Sequence, residues 1–407
     1  MKVLVITVFP PTIAPEADKA LHLCEQLAAR GIEVHVATTE GSIGSTRPAL
    51  YVHAQLRDWS WRDLPRLRSL LRRYVPDVVL LSYLAWAYKY HPMTTFVPSV
   101  VKRILPGSRV VTLFEAAEGS APSLLPIVSR ACRKAMSLWA GTKGADFNFG
   151  TLFRDSDGFI FVSERIRQAV RERIRPSIYL VDQSAALFTK GVIIPSPPIM
   201  RICPEGDSEA KTARRARLAV GPKEFVLAYF GYIYAGKGVE TLLQAFSILC
   251  HRRSDVRLVM IGGDLPDRPY SDQMKQLARE LKVEAKVSWS GAYDWDSDEA
   301  SGWLRAADIG VLPFDDGICL HNSSLAGIAT HGLPIITTRG ETLEPAFVDR
   351  DSVYLCPPKN PDRLASAIDT VLDDASLRET LHAGARRLAQ DWFCWDRATD
   401  RLIETFG

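Results

Sequence analysis

The sequence predicts an α/β protein built from two doubly wound domains with parallel sheets, and three observations carry that prediction. Strand-length apolar runs alternate with helical patterns along almost the whole chain. At 407 residues the chain exceeds one ordinary core, which makes two domains the expectation. Near the middle the alternation is broken by Pro195, Pro197 and Pro198, and a polar, charged stretch from Cys203 to Arg217 follows. A boundary is therefore expected near 196–210.

The elements follow in order. "KVLVITVF" reads as a buried strand, "ADKALHLCEQLAARG" as a helix closed by Gly31, and "IEVHVATT" as the next strand. A basic helix, "LPRLRSLLRRYV", precedes the strand "DVVLLSYL", a further helix and the strand "RVVTLFEA". A less regular helical stretch over 121–155 leads into "DGFIFVSERIRQAVRERI", a strand and then a helix. The second half repeats the plan with "FVLAYFG", "VETLLQAFSILCHRR", "VRLVMIGG", "YSDQMKQLAREL", "KVSWSGAY", "ASGWLRAA", "DIGVLPF", "SVYLCPP" and "PDRLASAIDTVL". Near-continuous apolar strands between helices imply parallel sheets covered on both faces, with ligands at the carboxyl ends of the strands.

Composition narrows the function classes. Apolar residues make up 47% and charged residues 24%, an ordinary globular balance. A net charge of +3 gives no nucleic-acid footprint. The seven cysteines are scattered singly, without a metal-ligand or disulfide pattern, which suits reduced thiols and a cytoplasmic location. "MKVLVITVFPP" reads as a first strand and not as a signal peptide, and no apolar run approaches the roughly 20 residues of a membrane span. No metal or cofactor is expected.

Two stretches of the second half have the physics of phosphate binding. In "YFGYIYAGKGVETLL" a strand ends at Gly231, a loop carries Lys237, and Gly238 opens a helix. Glycine admits close backbone approach, a helix N-terminus offers free N–H groups, and lysine supplies a cation. The same pattern also fits a plain βα turn with a solvated lysine. In "FDDGICLHNSSLAGIATHGLPIITTRGE", Asn322, Ser323 and Ser324 fit the cap and first turn of a helix ending at His331, with Gly332 beyond it. These residues face a ligand or merely cap the helix. No Ser-His-Asp or Cys-His spacing is legible there.

Taken together and in this order, "GYIYAGKGVETLLQAF", "VRLVMIGGD", "VSWSGAY", "LRAADIGVLPF", "GLPIITT" and "PPKNPDRLASAI" resemble the donor domain of the retaining GT-B-fold glycosyltransferases of family 4. The first half resembles the family more loosely, through "FPPTIAPEADKALHLCEQLAARGIEVHVAT" and "VVTLFE". The resemblance implies a GT-B fold of two Rossmann-like domains, 1–200 on the acceptor side and 201–391 on the donor side, with a final helix in 392–407 crossing back. It implies transfer of a sugar from a nucleotide-diphosphate sugar, such as a UDP-sugar, to a sugar, lipid-linked or small-molecule acceptor. Such an activity serves polysaccharide or glycoconjugate synthesis in bacteria.

The residues it implies are Lys237, exposed and pairing with the pyrophosphate, and Glu115 and Asp316 as further catalytic groups. Gly231, Tyr232, Gly238, Gly263, Ala292, Tyr293, Asn322, Ser323, Ser324 and Leu325 would bind the donor, with the base against Ala292 and Tyr293. This chain departs from the family in three places. The arginine usual beside the lysine is replaced near Tyr232. The glycine-rich loop after the first strand is replaced by "PPTIAPEA". The family's two glutamates fall on Cys319 and Gly327, so neither role carries over; Asp315 or Asp316 would substitute for the first. The pattern is that of a divergent branch.

Glu115 and Glu118 either face the acceptor or sit in a solvated loop. The segment 57–74, with six arginines and two tryptophans, either meets an anionic membrane face or is an ordinary surface helix. Two rival functions fit the same residues: a sugar-nucleotide epimerase of this fold, and a non-catalytic binding protein that has lost the glutamates.

Overall fold

The computed structural model describes residues 1–12, 15–42, 47–119, 126–141, 147–174, 191–203, 208–218, 220–221, 223–264, 269–294 and 297–407. The chain forms two compact units, Met1–Pro195 with Trp395–Gly407, and Ser196–Cys394.

The first unit holds a seven-stranded sheet in the order β3-β2-β1-β4-β5-β6-β7. Its strands are β1 (Lys2–Ile6), β2 (Glu33–Thr39), β3 (Leu50–Leu56), β4 (Val78–Tyr83), β5 (Arg109–Phe114), β6 (Gly158–Phe161) and β7 (Val192–Ile193). All neighbouring pairs are parallel. β4 is buried along its whole length, as its uninterrupted VVLLSY run requires of a strand covered on both faces. The order changes direction between β1 and β4, so the carboxyl ends of those strands form the switch point where open α/β sheets bind ligands.

The second unit repeats this with a six-stranded parallel sheet, β10-β9-β8-β11-β12-β13. Here β8 is Phe225–Phe230, β9 Val256–Ile261, β10 Val287–Gly291, β11 Ile309–Leu312, β12 Ile335–Thr338 and β13 Tyr354–Cys356. Its switch point lies between β8 and β11.

Three elements go beyond the sequence reading. β3 is an edge strand, and its LYVHAQL pattern is too mixed to stand out as apolar. The polar stretch after the prolines contains a helix, Ser208–Arg217, whose Arg214 and Arg217 lie over the Trp303 ring at 4.9 and 5.2 Å. The helix Ala375–Trp392 follows Pro361–Asp373, and the Asp374 carboxylate accepts from the N–H of Leu377 at its start. Of the stretch 121–155, the helices Pro126–Ala140 and Phe147–Asp155 are seen, while 121–125 and 142–146 fall outside the described residues.

The last helix, Trp395–Glu404, packs on the first sheet. Ala398, Leu402 and Phe406 join a core with Val3, Leu27 and Leu80. Arg30 pairs with Asp396 at 2.8 Å and Asp400 at 3.0 Å, and Arg109 donates to the Thr405 carbonyl at 3.0 Å. Among the described residues, no helix is long and apolar enough to cross a membrane.

Candidate functional site

In the second unit, the loops after β8, β9, β10 and β11 close on one another at the carboxyl end of the sheet. Gly231 ends β8 with φ 126°, and a Cβ there would lie 2.2 Å from the Ser324 hydroxyl. The helix Ser323–Thr330 is thus seated directly on the β8 turn. Gly238, with φ 71°, opens the helix Val239–Arg252, and a Cβ there would stand 1.8 Å from the Pro313 carbonyl after β11. Both positions need glycine for conformation and for space. Gly263 approaches Ala292 within 3.1 Å of its missing Cβ, which joins the β9 and β10 loops.

Lys237 lies on this floor, and its place differs from the exposed position expected. The side chain is half-buried, with Nζ 5.2 Å from the Tyr234 ring centroid and 5.0 Å from that of Phe314. Burial pushes its pKa down to about 8, partly opposed by Cys319. No carboxylate lies within ion-pair distance of it among the described residues. The loop is held by the Asp315 N–H donating to the Gly236 carbonyl at 3.0 Å.

Asn322 precedes the helix Ser323–Thr330, but its side chain does not cap it. The Asn322 Oδ1 accepts from the N–H of Cys319 at 2.8 Å. Its carbonyl takes the N–H of Leu325 at 2.9 Å and that of Ala326 at 3.3 Å. Among the described residues, the N–H groups of Ser323 and Ser324 have no acceptor. The Leu325 side chain is fully buried, and its N–H is engaged by the Asn322 carbonyl. Ser324 is buried and Ser323 half-buried. Ala292 is exposed, Tyr293 stacks on Phe230 at 5.6 Å, and Tyr232 accepts the Tyr229 hydroxyl proton through its carbonyl at 2.9 Å. Asp316 stands at an exposed position, and its carbonyl is closely approached by Gly340.

The two positions of the missing glutamates have different physical accounts. A Cβ on Gly327 would stand 2.4 Å from the Phe230 ring, so no larger side chain fits. Cys319 is buried with Sγ 2.6 Å from His321 Nδ1, a Cys-His contact across one residue that the sequence reading passed over. A buried carboxylate does enter this loop from elsewhere: Glu344 accepts from the N–H of Leu320 at 2.8 Å. C-x-H spacing was the only signal for the first, and nothing local marks Glu344.

In the first unit, Glu115 lies just beyond β5 and is neither free nor solvated. It pairs with Lys19 at 2.7 Å, both side chains 9% exposed, and accepts from the Ser82 hydroxyl at 3.4 Å. Lys19 and Glu16 come from the first turns of the helix Pro15–Ala29. Burial, and then the Glu115 charge, raises the Glu16 pKa to about 7, and Glu16 Oε2 is buried without a hydrogen-bond partner. Beneath them the Tyr88 hydroxyl donates to the Ser82 carbonyl. Glu118 is exposed.

Residues 210–388, which lie within the second unit, match the family model described as Glycosyl transferases group 1. The D-inositol 3-phosphate glycosyltransferase of Jonesia denitrificans is 29% identical over 219 residues, covering 52% of this chain and 50% of its own length. The enzyme of that name from Salinispora arenicola is 29% identical over 229 residues, covering 53% and 49%. The chain spans about half the length of these curated relatives. Its fold is that of GT-B glycosyltransferase structures. A Rickettsia africae glycosyltransferase superimposes with a TM-score of 0.71 at 16% identity, over 100% of this chain and 97% of its own. Anabaena HepE in complex with UDP gives 0.71 at 14% identity, over 100% and 99%.

Proposed function

We propose that this protein is a glycosyltransferase that moves a sugar from a nucleotide-diphosphate sugar to a hydroxyl-bearing acceptor with retention of configuration. The observation that carries the reading is Lys237, a desolvated ammonium without a counter-charge among the described residues. It shares the carboxyl end of the sheet with the unclaimed N–H groups of Ser323 and Ser324. A half-buried cation beside free N–H donors is complementary to a diphosphate. HepE structures with UDP and with UDP-glucose, on the same fold, support a UDP-sugar as the donor.

In this scheme the bond between the sugar's anomeric carbon and the diphosphate oxygen breaks as the acceptor oxygen bonds to that carbon on the same face. The acceptor's proton passes to the departing phosphate. Lys237 and the helix N–H groups stabilise the charge that grows on the leaving group, the role of preorganised electrostatics. Gly231 and Gly238 admit the donor's close approach, and Ala292 and Tyr293 offer a wall for the base. Asp316, exposed on the β11 loop, is kept as a candidate contact to the sugar. Glu115 is proposed as a positioning residue, since its carboxylate is held by Lys19. The scheme needs no metal or cofactor. The acceptor is proposed to be a sugar, a lipid-linked compound or a small molecule, and the seven free thiols support a cytoplasmic location.

The test is calorimetric titration with UDP and UDP-glucose. Lys237→Ala is expected to weaken UDP binding by roughly ten- to a hundredfold, the loss of a charged hydrogen bond of about 1.5–3 kcal/mol, while remaining folded. Unchanged UDP affinity in a folded variant would overturn the assignment. UDP-glucose incubated alone is expected to yield no epimer.

A further inference from the structure

We propose that the first unit docks on an anionic lipid surface through a patch made jointly by the segment Trp61–Tyr74 and the C-terminal end of the helix Pro126–Ala140. The basic segment is visible in sequence; its apolar partner comes from a part of the chain more than sixty residues away. Leu138 and Trp139, at the end of that second helix, are 75% and 69% exposed, the largest exposures among the described large hydrophobic residues. Trp139 is no stray side chain. Its ring lies 4.7 Å from Phe96 and 6.1 Å from Trp61, which is itself 37% exposed. Phe96 is buried with Ala140 and Phe147 in a small apolar cluster of their own, on which the aromatic rim rests.

The charge around this rim is mainly basic. From Trp61 the exposed positions run Pro65, Arg68 and Arg72, one line along the helix Leu64–Tyr74, with Leu67, Leu70 and Leu71 turned inward. On the other helix Ala131, Lys134, Ala135 and Leu138 form an exposed stripe at the same spacing. Asp63 is the only acidic residue in 61–75 and 126–140. It is buried, and its carboxylate is consumed by the N–H groups of Arg57, Asp58 and Trp59 and by Arg66. The patch therefore presents tryptophan and leucine in a field of arginine and lysine, with the half-buried Asp58, which faces Arg62, at its edge.

That combination suits the bilayer interface. Tryptophan rings sit at headgroup level, leucine enters the acyl boundary, and long basic side chains reach the lipid phosphates. A second copy of the chain would bring arginines against arginines, so self-association is disfavoured by the same charges. The proposal does not depend on the donor reading, since none of these residues belongs to the second unit.

The full-length protein is sedimented with vesicles of phosphatidylcholine, with and without phosphatidylglycerol. Binding is expected only to the vesicles containing phosphatidylglycerol, and it is expected to weaken as salt is added. Arg68→Ala and Arg72→Ala, both at exposed positions and harmless to folding, are expected to lower partitioning by roughly fivefold each. Leu138→Ser with Trp139→Ser is expected to reduce it further, with thermal unfolding checked in parallel. Equal binding to both vesicle types, or arginine variants that bind as the parent does, would overturn the proposal. So would a dimer seen by light scattering that the Leu138 and Trp139 changes dissolve, since the patch would then be a contact between copies.

Discussion

Lys237 carries a cost in the empty protein that its proposed ligand would remove. Its pKa is depressed from 10.5 to about 8, so the fold disfavours the charged form. For a cation lowered in this way, stability rises with pH between about 8 and 10.5 and is lowest where the group is charged in both states. Lys237→Met is therefore expected to raise stability at pH 7 by about 1–2 kcal/mol, after allowance for solvent screening of a half-buried group, and with it the melting temperature. The same variant is expected to lose UDP binding. A bound diphosphate would raise the lysine's pKa, so UDP affinity is expected to fall as pH climbs above about 8. Glu16 runs the other way. Its pKa is raised to about 7, so the stability held by its neutral form is present below about 4.5 and lost as pH rises through 7. Glu16→Gln is expected to gain stability relative to the parent between pH 5 and 8; parallel melting curves across that range would refute this.

At the scale of elements, the helix Ser323–Thr330 and its seat explain what could and could not be read in advance. The helix, its glycine stop and the strand after it were legible because capping residues, apolar periodicity and Gly332 all agree. The orientation of Asn322 was not, since its side chain turns back to Cys319, and only the folded loop decides that competition. Nor was the reason for glycine at 327 legible, because the Phe230 ring that excludes a side chain lies nearly a hundred residues away. Of the two serines that open this helix, Ser324 is buried and Ser323 half-buried, so an added charge is decisive at Ser323. Ser323→Ala is expected to be mild, because the N–H groups remain. Ser323→Asp is expected to abolish UDP binding, as like charges about 4 Å apart repel by roughly 4 kcal/mol at an effective dielectric of 20. Stability is expected to hold, since an acidic residue suits a helix's first turn. A drop in melting temperature with UDP affinity intact would instead mark the serine as a cap alone.

For the whole molecule, the two-sheet plan was written in the rhythm of strands and helices, and the break at Pro195–Pro198 marked where one unit gives way to the other. The members missed are those with weak patterns. β3 exposes Tyr51 at the sheet edge, and Ala375–Trp392 buries only Leu381, Gly384, Ala385 and Leu388. Chain connectivity matters as much as topology here, because Trp395–Gly407 completes the first unit's core. Leu402→Ala, which empties a buried site in that core, is expected to cost about 2–5 kcal/mol. The loss is expected to appear in the unfolding of the first unit while UDP binding by the second persists, as domain-resolved hydrogen exchange would show.

The returning helix also sets an order of events during synthesis. An N-terminal domain ordinarily folds while the rest of the chain is still being made. Here Leu402 and Phe406 emerge only after the whole second unit, some 200 residues later, which at 5–20 residues per second is roughly 10–40 s. Until then the first sheet leaves an apolar face uncovered beside Val3, Leu27 and Leu80. The first unit is thus completed only after the second has been made, and its apolar face is open to chaperones and proteases for as long as it waits.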